Sequence, residues 1–166
     1  MSAAQATLDA ADTSDREIVL TRDFDAPREL VWEAYTDARH LPHWFGPNGF
    51  SLTIHAIDVR PGGMWRYTMH GPDGTDWPNR QVYQELVKPE RLVYLHGEDV
   101  DDDPGAFHVT VRLDDLGGGR TRVTQRMVFA TSEQLDAVRS FGAEELGQQT
   151  MGRLAARLET MKAASA

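Results

Sequence analysis

The chain has 166 residues, 40% of them hydrophobic and 26% charged, which is enough for one domain whose core needs neither disulfide nor metal. It contains no cysteine, which excludes disulfide frameworks, thiolate zinc sites, iron–sulfur clusters and cysteine nucleophiles. Seventeen basic residues against 26 acidic ones leave a net charge of −9, so no broad nucleic-acid-binding surface is expected.

Residues 1–15 are small, polar and acidic, and read as a disordered tail with neither a basic nor an apolar signal region. No apolar run is long enough to span a membrane, and the expected setting is cytoplasmic. A single domain is expected over residues 16–162. Ile18–Phe24 alternates as a strand. Asp25-Ala26-Pro27 then opens a helix to about Tyr35, with Asp25 as its N-cap and Pro27 in the first turn. A Pro-interrupted segment leads to strands at Ser51–Val59, Met64–His70, Gln81–Val87, Arg91–Gly97, Phe107–Leu113 and Arg122–Phe129. Pro61-Gly62-Gly63, Gly71-Pro72-Asp73-Gly74, Lys88-Pro89-Glu90 and Gly117-Gly118-Gly119 punctuate them as turns. Thr131-Ser132-Glu133 starts a final helical stretch to Met161, interrupted at Gly142 and Gly147. Its apolar stripe is Leu146, Thr150, Leu154 and Leu158, with Met151 and Met161 alongside. The order predicts an antiparallel meander covered on one face by a long helix.

Strand alternation assigns the faces. Trp65, Tyr67 and Met69 share one face, as do Leu92, Tyr94 and His96, then Phe107, Val109, Val111 and Leu113, then Val123, Gln125, Met127 and Phe129. In the Gln81–Val87 strand, Val82, Gln84 and Leu86 compete with Tyr83, Glu85 and Val87 for the inner face. That face is rich in aromatic and thioether groups with a few polar tips, a composition shared by packed cores and by small-molecule pockets.

Phe24-Asp25-Ala26-Pro27-Arg28-Glu29-Leu30-Val31-Trp32 resembles the opening signature of a known family. So do His40-Leu41-Pro42-His43-Trp44-Phe45-Gly46-Pro47, Arg60–Tyr67, Gly71–Gly74, Pro89–Tyr94 and Gly147–Leu154, in order and at family spacing. The chain is similar, over about Glu17 to Met161, to the activator of Hsp90 ATPase homologue type within the START-like (SRPBCC, Bet v 1-like) superfamily. The resemblance implies an α+β helix-grip fold: a curved antiparallel sheet of six to seven strands around a long C-terminal helix, two short helices at one end, and a hydrophobic cavity between. Two departures, Trp44-Phe45 where relatives often carry two tryptophans and Gln148 after Gly147, alter the pocket's shape, so no ligand carries over.

His40-x-x-His43 invites a metal, but Pro42 interrupts any helical face and no carboxylate stands at a suggestive spacing, so no metal is expected. The acidic run Asp99–Asp103 lacks the glycine and glutamate of a calcium loop, and Gly117–Gly119 is a turn and not a nucleotide loop. The first functional expectation is binding of a hydrophobic or aromatic small molecule without a cofactor. Its expected lining is Trp44, Phe45, Trp65, Tyr67, Met69, Tyr83, Glu85, Tyr94, His96, Gln125, Met127 and Leu146. A second reading is a cofactor-free cyclase or dehydratase, as in superfamily relatives, with Glu85 or His96 as acid or base. A third is a protein-interaction module by analogy with the chaperone activator. The sequence carries one domain without that co-chaperone's N-terminal domain, so stimulation of a chaperone ATPase is not expected. Exposed sheet edges would also allow a homodimer.

Overall fold

The computed structural model describes residues 12–165, so residues 1–11 of the expected tail lie outside the described residues. Within the rest of that tail Thr13 is buried. Its hydroxyl donates to Glu17 Oε2 at 2.7 Å and accepts from Arg126 at 2.6 Å, so the packed structure reaches at least to Thr13.

Seven strands form one antiparallel sheet: β1 (Glu17–Phe24), β2 (Ser51–Ile57), β3 (Met64–His70), β4 (Asp76–Val87), β5 (Arg91–Glu98), β6 (Phe107–Gly117) and β7 (Arg120–Val128). Their spatial order is β1-β7-β6-β5-β4-β3-β2. The meander from β2 to β7 is therefore closed at one edge by the first strand. Helix α1 (Arg28–Thr36) and a 3-10 turn (Leu41–His43) carry the chain from β1 to the far edge. Helices α2 (Ser132–Ser140) and α3 (Ala143–Ser165) follow β7, and α3 packs against β1 and α1. This curved sheet gripping a C-terminal helix is the helix-grip fold.

Strand β4 starts at Asp76 and not at Gln81, because it includes Pro78 opposite Thr68 and closes a tight hairpin with β3. At that turn Gly74 takes a φ of 87° and Asp73 Oδ1 accepts from Thr75 N–H. The final helical stretch is two helices. Thr131 Oγ1 caps α2 by accepting from Gln134 N–H, and Gly142, at a φ of 76°, separates α2 from α3. Asp25 does not cap α1. Pro27 occupies the cap position without a side-chain bond, and Asp25 Oδ2 instead lies 3.3 Å from Lys162 Nζ.

The buried row of α3 is Met151, Leu154, Leu158 and Met161, while Leu146 and Thr150 are only half-buried. A strict four-residue spacing drifts by about 40° per step around a 3.6-residue helix, whereas steps of three, four and three hold one face. Each such side chain contributes roughly 1.5–3 kcal/mol on full burial.

Candidate functional site

The inner rows predicted for β3, β5, β6 and β7 face α3, and the register aligns them. Tyr94 lies opposite Val109 and Val109 opposite Met127, while Val111 lies opposite Gln125. Strand β4 behaves differently. A β-bulge between Tyr83 and Glu85 inserts one residue, so Tyr83 pairs with inward Tyr94 while Glu85 pairs with outward Val93. Each competing reading of β4 is thus right on one side of the bulge: Tyr83 and Leu86 face inward. Glu85 stands on the opposite face, with Oε1 3.5 Å from Arg91 Nε. It cannot share a cavity with His96, and its expected acid–base and ligand-binding roles are corrected accordingly.

A cavity of about 170 Å³ lies between the sheet and the start of α3. Of the expected lining, Trp44, Phe45, Met69, Tyr94, His96, Gln125 and Met127 surround it. Trp65, Tyr67 and Tyr83 do not: they are 1%, 0% and 1% exposed and form the packed layer beside it. Leu146 is half-buried and outside the wall. Sequence reasoning missed Gly46, Pro47, Phe107, Val109, Gly147, Thr150 and Met151. Alternation had placed Phe107 and Val109 on the correct face, and Gly46-Pro47 directly follow Trp44-Phe45. No local signal tells which turn of α3 meets the cavity.

The wall is held by non-local contacts. Trp44 Nε1 donates to Ala34 O at 3.0 Å, and its ring meets Tyr35 edge-on at 4.8 Å. Phe45 touches both Trp65 and Tyr67 edge-on, and these two stack at 4.0 Å. Gly46 has a φ of 112°, which residues with side chains rarely adopt, and a Cβ there would also press on the Met69 methyl, so the loop against the cavity favours glycine at this position. From α3, Arg153 donates to Gly46 O at 2.8 Å and Pro47 O at 3.1 Å. Gly147 lies against Leu20 so closely that a Cβ would collide with it.

Four polar side chains line the cavity among the described residues: Tyr94, His96, Gln125 and Thr150, whose hydroxyl donates to Leu146 O at 3.1 Å. The Tyr94 hydroxyl and the Gln125 amide make no hydrogen bond among the described residues. His96 makes one, Nε2 to the Tyr67 hydroxyl at 2.9 Å. Gln81 Nε2 donates weakly to the same hydroxyl at 3.4 Å. Burial pushes the His96 pKa down to about 4, only partly countered by Asp103, and raises those of Tyr67 and Tyr94. All three rings are therefore uncharged at neutral pH.

His43 does not join His40. The ligating atoms of Glu33, Asp37 and His40 instead lie within 4.8 Å of one another, a carboxylate pair that the spacing had not suggested. These groups already have partners: His40 Nε2 lies 3.1 Å from Glu33, His40 Nδ1 2.9 Å from Arg157, and Asp37 binds Arg39. The acidic loop after β5 is likewise committed. Asp99 takes a two-point bond from Arg66 at 3.0 and 2.8 Å and another from Arg80, while Asp103 accepts from Glu98 and Gly105 N–H. Arg66 thus sits on the outer face, as alternation predicts.

The family model of activator of Hsp90 ATPase homolog 1-like proteins matches residues 25–159. The chain belongs to this family. Its fold recurs in a solution structure from Arthrobacter aurescens, 28% identical, with a TM-score of 0.82 over 90% of each chain. A crystal structure from Nitrosomonas europaea is 26% identical, with a TM-score of 0.81 over 92% of this chain and 99% of that one. A Mycobacterium smegmatis protein is 27% identical, with a TM-score of 0.80 over 90% and 95%. No curated protein matches the chain. The helix-grip fold of this family is consistent with ligand binding, and among the described residues no helix is long and apolar enough to cross a membrane.

Proposed function

We propose that the protein binds a small, largely apolar molecule between the sheet and α3. The observation that carries this reading is the cavity itself, a mostly apolar space walled by Trp44, Phe45, Met69, Val109, Met127 and Met151. Apolar burial supplies most of the affinity there, and the polar tips supply orientation. Acid–base catalysis is less well supported. Glu85 lies on the other face, and a His96 pKa near 4 makes the imidazole a weak base at neutral pH.

Native mass spectrometry of the protein after incubation with a cell extract tests the proposal, with Met127→Trp as the cavity-filled control. A discrete mass retained by the native sequence and lost in the control supports it. Equal retention by both, or none by either, overturns it.

A further inference from the structure

The cavity's size and polarity narrow its occupant. An apolar cavity of about 150 Å³ holds one benzene molecule. At about 170 Å³ the present one encloses a single six-membered ring with one small substituent.

Among the described residues no arginine, lysine, aspartate or glutamate lines it. Arg153, on the adjacent turn of α3, is directed at the Gly46 and Pro47 carbonyls. A carboxylate entering this space would lose its water without gaining a cation, and an ammonium would gain no carboxylate. The wall is nevertheless not inert. Tyr94 and Gln125 present a hydroxyl and an amide without protein partners among the described residues, and His96 offers the nitrogen that Tyr67 does not use. Tyr94 and Gln125 stand in adjacent cross-strand rows: Tyr94 in the row of Val109 and Met127, Gln125 in the row of Leu92 and Val111. Leaving such groups unmatched against a pure hydrocarbon costs more than bonding them to one oxygen. Resting on the small-molecule binding proposed for this cavity, we infer that the occupant is an uncharged single-ring compound bearing one hydroxyl or carbonyl oxygen. Its ring lies against Phe45 and Met127, and its oxygen is hydrogen-bonded to Tyr94 and Gln125.

The test is an NMR titration of the full chain, following methyl signals of Met127, Val109 and Met151, with phenol, cyclohexanone, toluene, benzoate and benzylammonium. Phenol and cyclohexanone are expected to bind about three- to tenfold more tightly than toluene. Benzoate and benzylammonium are expected to shift no cavity methyl. Tyr94→Phe removes a single oxygen and Gln125→Leu keeps the volume, and in each the advantage of phenol over toluene should shrink towards unity. Benzoate or benzylammonium binding as tightly as phenol would overturn the uncharged class while leaving small-molecule binding intact. Toluene matching phenol in the native chain, or a phenol advantage unchanged in both variants, would overturn the polar anchor. If no probe moves any cavity methyl, small-molecule binding itself fails and the ring-and-oxygen assignment falls with it.

Discussion

The Tyr67 hydroxyl lies 2.9 Å from Nε2 of His96, joining a residue of the packed layer to one of the cavity wall. Gln81 donates to the same oxygen, which leaves the Tyr67 proton able to point at Nε2, an arrangement that requires the neutral imidazole's own proton on Nδ1. Protonating His96 would break this arrangement.

This has a pH consequence. The folded His96 pKa is near 4 and the unfolded value about 6.5, so between them the unfolded chain binds more protons. The stability that His96 contributes is present above pH 6.5 and is lost as the pH falls towards 4, by up to about 3 kcal/mol. His43 and His108, whose pKa values burial also lowers, act in the same direction. Urea unfolding at pH 7 and pH 4.5 should therefore show a smaller loss in His96→Phe than in the native chain. An equal loss would place the pH sensitivity elsewhere.

Gly147 sits on α3 where its missing side chain lets the helix reach Leu20 of β1. In an exposed helix, Gly→Ala gains roughly 1 kcal/mol. Here overpacking costs about 1–3 kcal/mol and should win. Gly147→Ala is expected to lower the denaturation midpoint, and pairing it with Leu20→Val should restore part of the loss. A stabilised single variant would show that Leu20 turns aside freely.

Arg153 ties α3 to the loop over the cavity through the Gly46 and Pro47 carbonyls. Hydrogen bonds from a charged donor contribute about 1.5–3 kcal/mol each. Arg153→Met keeps the aliphatic stem and removes the donors. Amide exchange across residues 43–50 should accelerate at least tenfold, while β6 and β7 stay protected. Uniform acceleration would point instead to global destabilisation.

The four tryptophans divide by exposure. Trp32, Trp44 and Trp65 are 7%, 1% and 1% exposed, and Trp77 is 54% exposed opposite Met69. Acrylamide should quench one emitting fraction readily, and Trp77→Phe should abolish that fraction with a stability change within about 0.5 kcal/mol. By contrast Trp65→Ala, which empties a packed position, should cost about 3–5 kcal/mol by chemical denaturation. Similar quenching of the native chain and Trp77→Phe would contradict this burial pattern.

Much of the architecture is legible in the chain itself. Period-2 alternation identifies the inner rows of β3, β5, β6 and β7, glycine and proline mark the turns, and the motifs from Phe24 to Leu154 identify the family. These are local properties, set by strand geometry and turn chemistry over a few residues. What only the tertiary structure decided is which inner-face residues wall a cavity and which fill the core. Trp65 and Tyr67 share Met69's face, yet Phe45 packs over both and only Met69 reaches the open space. The start of α3 meets the cavity through Gly147, Thr150 and Met151 because Gly147 fits Leu20, a contact between residues far apart in the chain. Glu85 left the site for the same kind of reason: one inserted residue in β4 reverses the alternation beyond it, and only pairing with β5 reveals the insertion.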